Sequence, residues 1–150
     1  MASTGMVSGI SVHAKTCSGC RMCEQVCVFF HYREFNPRRS RIKVQILEKE
    51  GVNAPLLCSQ CKTCISSCNR DALSWDDKVG VVRVDAEKCN GCGICIDVCE
   101  ENAIFMDPIT GIVNICDLCD GDPECIKWCP EDVLRPINGE ETDVETEKAA

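Results

Sequence analysis

The cysteines of this chain fall into four groups, and their spacing limits the fold more than any other feature. Cys17, Cys20, Cys23 and Cys27 read C-x2-C-x2-C-x3-C. Cys58, Cys61, Cys64 and Cys68 repeat that spacing, and Cys89, Cys92, Cys95 and Cys99 repeat it again. Cys116, Cys119, Cys125 and Cys129 read C-x2-C-x5-C-x3-C, the same unit with three extra residues. None of the 16 cysteines is left over. An internal repeat of this kind organises the whole chain.

The cysteines have to act as cross-links. They make up 16 of the residues behind the 45% hydrophobic fraction of a 150-residue chain. Without them the apolar complement is thin for an ordinary core. Disulfides are the poorer reading. Met1 to Thr16 has no charged segment followed by a continuous apolar run, so no secretory signal is expected. A cytoplasmic chain is then expected, in a reducing pool where thiols stay reduced unless a metal holds them. No apolar run reaches the length of a membrane span. The formal charge of −8 makes a nucleic-acid partner a poor fit, because phosphates need a basic face.

Three cysteines at x2 intervals wrap a tight loop around one face of an iron–sulfur cube. A helix then carries the fourth thiolate toward a second cube, as in the bacterial ferredoxin run. Ser18-Gly19, Asn90-Gly91 and Gly93 suit the loops, since glycine permits the backbone angles that aim N–H groups at sulfur. Zinc is the rival ligand. It closes one tetrahedron from two C-x2-C pairs, which would leave the third cysteine of each motif surplus. Sixteen ligands at four per cluster give an expectation of four 4Fe–4S clusters.

The intervening segments read as short strands and turns. Arg41 to Leu47 alternates like a half-buried strand. Ala72 to Trp75 with Val81 to Asp85, and Asn102 to Met106 with Ile112 to Ile115, flank hairpin turns. Short helices are expected after the third cysteine of each motif. The fold class expected is α+β, small and cluster-cored, made of bacterial-ferredoxin-like modules in tandem or nested. Motifs two and three, 20 residues apart, form a natural pair, with motifs one and four nested outside. Serial pairing is the alternative. The 30-residue gap after Cys27 suits it poorly, and the 16-residue gap after Cys99 does not exclude it. The nested organisation has an outer module of residues 1–49 plus 109–137 and an inner module of residues 50–108. An acidic tail, 138–150, is expected to be disordered.

The segments CSGCRMCEQVCVFFHYREFNPRRSRIKV (Cys17 to Val44) and CDLCDGDPECIKWCP (Cys116 to Pro130) carry a resemblance. The chain resembles the four-cluster, ferredoxin-type electron-transfer subunits of molybdenum or tungsten pterin oxidoreductases. Within them it is most similar to the small subunit of tungsten-containing aldehyde oxidoreductases. It is nearly as similar to the matching subunit of tungsten-dependent benzoyl-CoA reductases. The resemblance spans roughly Ile10 to Ile137 and implies nested pairing with crossed ligation. By that implication Cys17, Cys20 and Cys23 share a cube with Cys129, and Cys116, Cys119 and Cys125 share one with Cys27. Cys58, Cys61 and Cys64 share with Cys99, and Cys89, Cys92 and Cys95 with Cys68. Pro follows the last cysteine of a motif only at Pro130, which departs from the common ferredoxin pattern and puts the local turn geometry elsewhere in question.

The function expected is electron transfer, with no residue acting as acid, base or nucleophile. The partners implied are a pterin-containing catalytic subunit, a flavin- or NAD-linked subunit, and end-to-end association with a second copy. A free polyferredoxin is the alternative. His13 and His31 are weak candidates for a role, His31 reading as a packed or surface residue, and Trp75 and Trp128 are expected to pack around clusters. Arg33, Arg38, Arg39, Arg41 and Lys43 crowd into eleven residues. They read either as a solvated edge or as a docking surface for the catalytic subunit.

Overall fold

The computed structural model describes residue 7 and residues 9–137, so the expected disordered tail, 138–150, lies outside the described residues. Four helices follow the four motifs: α1 (Met22–Tyr32), α2 (Thr63–Ser67), α3 (Ile94–Val98) and α4 (Glu124–Trp128). Each starts just ahead of the third cysteine, slightly earlier than the spacing suggested. Three of them stop at the fourth, where Cys68, Cys99 and Cys129 take nearly the same extended conformation (φ −77°, −73° and −72°). α1 instead runs through Cys27 for more than another turn. Its end is set by Arg33, whose left-handed backbone (φ 56°) lets its N–H bond back to the Phe29 carbonyl.

Among the described residues, eight strands make four separate antiparallel hairpins or pairs. β4 (Leu73–Asp76) pairs with β5 (Val81–Val84), and β6 (Phe105–Met106) with β7 (Val113–Asn114). Both match the hairpins read from sequence, though the second keeps only two residues per strand. β2 (Lys43–Leu47) pairs with β3 (Val52–Leu56), which the sequence reading missed. Pro55 in β3 conceals it, and a two-stranded sheet, all edge, tolerates the missing donor. β1 (Gly9–Val12) pairs with β8 (Leu134–Ile137), closing the two ends of the described chain on each other.

α1 packs on α4, and α2 on α3. These contacts bring motif one to motif four and motif two to motif three. The expected boundaries at 49/50 and 108/109 both fall in hairpin turns, so β2–β3 and β6–β7 each straddle one. The apolar core has two parts. Ile10, Ile42, Leu57, Leu118 and Leu134 gather around cysteines of motifs one and four. Leu73, Ile104, Val113 and Ile115 gather around cysteines of motifs two and three. Val81 and Val82 point to opposite faces of β5, so one strand feeds both cores.

Three of the five cations in the basic run are taken up by contacts within the protein. Arg39 is buried and donates from Nε and Nη2 to both oxygens of Asp107 (3.1, 3.2 and 2.8 Å). Its Nη1 donates to Glu34 (2.9 Å), and its Cζ lies 3.7 Å from the centre of the Tyr32 ring. Arg41 donates to Asp117 (3.1 Å) and to the Ile115 carbonyl (3.2 Å). Lys43 donates to the Pro37 carbonyl. These cations tie the segment after α1 to the β6–β7 turn and to the motif-four loop. Of the five, Arg33 and Arg38 remain exposed.

Candidate cluster-binding site

The C-x2-C loops wind through left-handed backbone at equivalent positions. The residue two after the first cysteine has positive φ in all four: Gly19 (72°), Gln60 (59°), Gly91 (71°) and Leu118 (53°). The residue after the second cysteine does too: Arg21 (60°), Lys62 (68°), Gly93 (80°) and Asp120 (60°). Only glycine takes this conformation freely, so each side chain held there costs about 1–3 kcal/mol and must be held by its surroundings. Leu118 is held by complete burial. Gln60 is held by its amide, which donates to the Cys116 carbonyl (2.7 Å) and accepts from the Val82 N–H (3.0 Å).

The turn after the last cysteine is repeated as well. Asp71, Asn102 and Asp132 each sit three residues beyond it with φ between 50° and 53°. The next N–H points back at sulfur: Ala103 N–H donates to Cys99 Sγ and Val133 N–H to Cys129 Sγ, both at 3.4 Å. The turn forms with Asn69, Glu100 or Pro130 after the cysteine, so proline is not required for it. Gln60 N–H donates to Cys58 Sγ (3.3 Å) and Arg41 N–H to Cys27 Sγ (3.4 Å).

All 16 thiols are free of disulfides, and they converge across motifs. Cys17, Cys20, Cys23 and Cys129 line one concavity, walled by Val44, Pro55, Val133 and Leu134. Cys68, Cys89, Cys92 and Cys95 line another. Cys27, Cys116, Cys119 and Cys125 line a third, under Ile10, Ile42 and Leu57. Cys58 and Cys64 lie close enough to Cys99 and to Cys61 for their charges to interact.

The four sets also have neighbours. Cys23 of the first interacts with Cys125 of the set containing Cys27. Cys116 of that set interacts with Cys58. Cys64 interacts with Cys95. These neighbours link the sets in succession, from the Cys17 set through the Cys27 and Cys58 sets to the Cys89 set.

The donor chemistry fits iron–sulfur clusters. Soft thiolates in apolar concavities, met by backbone N–H groups, are the surroundings such clusters take. Burial pushes Cys23 and Cys119 up to about 12, and Cys58 and Cys95 up to about 11. Thiols so disposed stay protonated unless a metal cation balances their charge. Cys27 departs from this pattern. Burial opposes its thiolate, but His31 and the Arg41 N–H favour it and hold it below the ordinary thiol range.

His31 is therefore not idle, contrary to the sequence reading. The extended α1 brings its Nδ1 within 2.7 Å of the Cys27 carbonyl and 3.8 Å of Cys27 Sγ. Its Nε2 meets Asp117 at 2.9 Å. Burial works against the imidazolium, but Asp117 and Cys27 outweigh it and raise His31 to about 9. Burial likewise opposes the Asp117 carboxylate, which His31 and Arg41 nevertheless hold down at about 2. The pair forms a charged wall of the third concavity. A histidine four residues after a ligand cysteine on an extended helix was the available signal. Trp128 also departs from expectation, standing 57% exposed rather than packed. Trp75 is half-buried, under the Lys62 ammonium.

Comparison with known proteins agrees with this chemistry. Residues 57–103 match the 4Fe-4S dicluster domain family, which places the chain among ferredoxin-type iron–sulfur proteins. The polyferredoxin-like subunit of an aliphatic sulfonate oxidoreductase from Pyrococcus furiosus is 41% identical over 128 residues, covering 82% of this chain and 73% of that one. The chain belongs to that family of polyferredoxin-like iron–sulfur proteins. It is also 36% identical over 136 residues to the beta subunit of NADH-dependent phenylglyoxylate dehydrogenase from Aromatoleum evansii, of which it spans only 30%. Among solved structures, a chain of the BamBC active-site complex of benzoyl coenzyme A reductase with benzoyl-CoA matches with TM-score 0.51 and 29% identity. The match covers 88% of this chain and 80% of that one. No helix among the described residues is long and apolar enough to cross a membrane.

Proposed function

We propose that this chain is a non-catalytic electron-transfer subunit holding four 4Fe–4S clusters, and that it links a pterin-containing catalytic subunit to a second redox partner. The succession of four thiol sets is the observation that carries the reading. Two ligand-rich halves with no contact between their sets would suit two separate carriers; a succession suits a relay. Crossed ligation is part of the proposal: Cys17, Cys20 and Cys23 with Cys129; Cys116, Cys119 and Cys125 with Cys27; Cys58, Cys61 and Cys64 with Cys99; Cys89, Cys92 and Cys95 with Cys68. The convergence of three of these sets on single concavities supports it.

Bound there, each cluster supplies a one-electron store. The chain's own part is to present four thiols, to keep water out with side chains such as Leu118 and Leu134, and to aim N–H groups at sulfur. The His31–Asp117–Arg41 group sets the charge beside the Cys27 set.

A tungsten-containing aldehyde oxidoreductase is the catalytic partner we favour, from the resemblance of Cys17 to Val44 and Cys116 to Pro130, with a flavin- or NAD-linked subunit at the far end. The likeness to the BamBC chain supports a second reading, the corresponding subunit of a benzoyl-CoA reductase. Free thiols throughout suit a reducing cytoplasm.

The test is anaerobic analysis of the protein with its natural partners. About sixteen irons per chain and negligible zinc are expected. Cys129→Ser should alter the electron paramagnetic resonance of the cluster at Cys17, Cys20 and Cys23. A Cys129→Ser spectrum indistinguishable from that of Cys116→Ser would remove crossed ligation.

A further inference from the structure

A second feature lies beside the Cys17 end of the succession. α1 and α4 leave an open trough between them, lined by Met22, Val26, Phe29, Phe30, Phe35 and Trp128. Four of these are large, apolar and exposed: Met22 (42%), Phe29 (42%), Phe35 (75%) and Trp128 (57%). Among the described residues only three other large hydrophobics are exposed, Ile46, Ile94 and Ile109, and they are scattered. A contiguous aromatic patch of this kind marks an interaction surface.

The patch is built, not incidental. Arg33 ends α1 in left-handed backbone, and the chain turns back so that Phe35 stacks on Phe29 with centroids 5.3 Å apart and planes at 20°. The Arg33 guanidinium lies 5.3 Å from the Phe29 ring centre. The Arg39–Glu34 bond pins the turn from below. Such aromatics, fixed before contact, lose little entropy on docking. Gln25, on the same trough, has its Oε1 shielded and without a donor.

We infer that this trough is the docking face for the catalytic oxidoreductase subunit, which presents apolar side chains rimmed by carboxylates. The inference rests on the subunit reading given above and deepens it by naming the face. Charge selects the occupant. On a chain of net charge −8, the trough is lined by exposed Arg33, and the carboxylate on its lining, Glu124, is already bonded to Lys127 (3.0 Å). A second copy meeting the trough symmetrically would bring two Arg33 cations into the contact and only carboxylates already paired with Lys127. The segment 138–150 offers only Val144, Ala149 and Ala150 as apolar side chains and cannot fill an aromatic trough. Position agrees with charge, since Met22 lines both the trough and the Cys17–Cys20–Cys23–Cys129 concavity. A subunit seated here therefore lies against one end of the succession of thiol sets.

The experiment places a photo-cross-linking benzoylphenylalanine at Phe29 or Phe35, with controls at Ile46 and Ile109, in the complex made by cells expressing all its subunits. Adducts to the catalytic subunit are expected from positions 29 and 35 and not from 46 or 109. Capture of the catalytic subunit from 46 or 109 alone would leave the subunit reading standing and overturn the face. Adducts from position 35 to a second copy or to residues 138–150 would also overturn it. Wild-type preparations holding no catalytic subunit would overturn both readings. Phe29→Ala with Phe35→Ala should weaken association about thirtyfold or more while leaving iron content and paramagnetic spectra unchanged. A change within about threefold would return the patch to simple exposure.

Discussion

The two halves of the molecule use one cysteine motif in different ways. In the inner half, α2 and α3 are five residues each, stop at the fourth cysteine and pack on one another. Hairpins β4–β5 and β6–β7 complete it with short, tight turns. Residues 57–103, from motif two to just short of β6, match the dicluster family. In the outer half the same motif is elaborated. α1 runs eleven residues and delivers His31 and Tyr32 to charged contacts and Phe29 and Phe30 to an exposed face. In the motif-four loop Cys119 (φ 48°) joins Leu118 and Asp120 in left-handed backbone, and the extra residues follow before Cys125. The inner half keeps to the bare motif; the outer half adds a longer helix, buried charge contacts and an exposed aromatic face.

Removing iron tests the comparison most severely. Neither core is large, and each is built partly from cysteine: Cys23, Cys27, Cys116 and Cys125 in one, Cys64 and Cys95 in the other. Anaerobic chelation is therefore expected to abolish cooperative melting across the whole chain, because metal binding and folding are coupled. Amide exchange would check this region by region. Slow exchange surviving in residues 57–103 alone would show that the inner half folds without metal and that only the outer half depends on it.

The join between the halves is legible only in the structure. The four motifs and two of the hairpins follow from spacing and turn residues, because those signals are local. β1 and β8 lie more than a hundred residues apart, so no local pattern announces their pairing. Arg39 looked like part of a basic surface because its partner Asp107 is 68 residues away. His31 looked idle because nothing in the sequence places Asp117 beside it. Positive φ at Gly19 and Gly91 could be read from glycine, whereas Gln60 and Leu118 occupy equivalent positions through tertiary contacts a sequence does not display.

Arg39→Ala is the next test in size. It would leave the Asp107 carboxylate, which burial opposes and Arg39 stabilises, without its cation. A loss of about 3 kcal/mol is expected, since removing one partner strands the other. Exposed Arg38→Ala should cost no more than about 0.5 kcal/mol. Chemical denaturation of the iron-loaded protein would measure both. Equal costs would mean that the basic segment is a solvated edge after all.

The smallest effect compares one glycine position in the two halves. Gly19 and Gly91 both precede the second cysteine of a motif, at φ 72° and 71°. Alanine at either carries a left-handed penalty of about 1 kcal/mol. What a new methyl group would meet differs. At Gly19 it lies 2.9 Å from the Asn53 side chain, which can rotate away. The cost of that rotation is the Asn53 bond to the Cys17 carbonyl (3.3 Å), about 1 kcal/mol. At Gly91 it lies 2.2 Å from the Gly111 carbonyl oxygen, part of the backbone of the β6–β7 turn. The turn must shift, and it is held by the Gly111 N–H bond to the Asp107 carbonyl (2.9 Å). Gly91→Ala is expected to destabilise the iron-loaded protein by about 1–2 kcal/mol more than Gly19→Ala, in line with the cost of overpacking. Its effect should extend to Arg39, because Asp107 anchors both the turn and that guanidinium. Combining Gly91→Ala with Arg39→Ala should then cost less than the sum of the two. Strict additivity would mean that the turn moves without disturbing the contact between the halves.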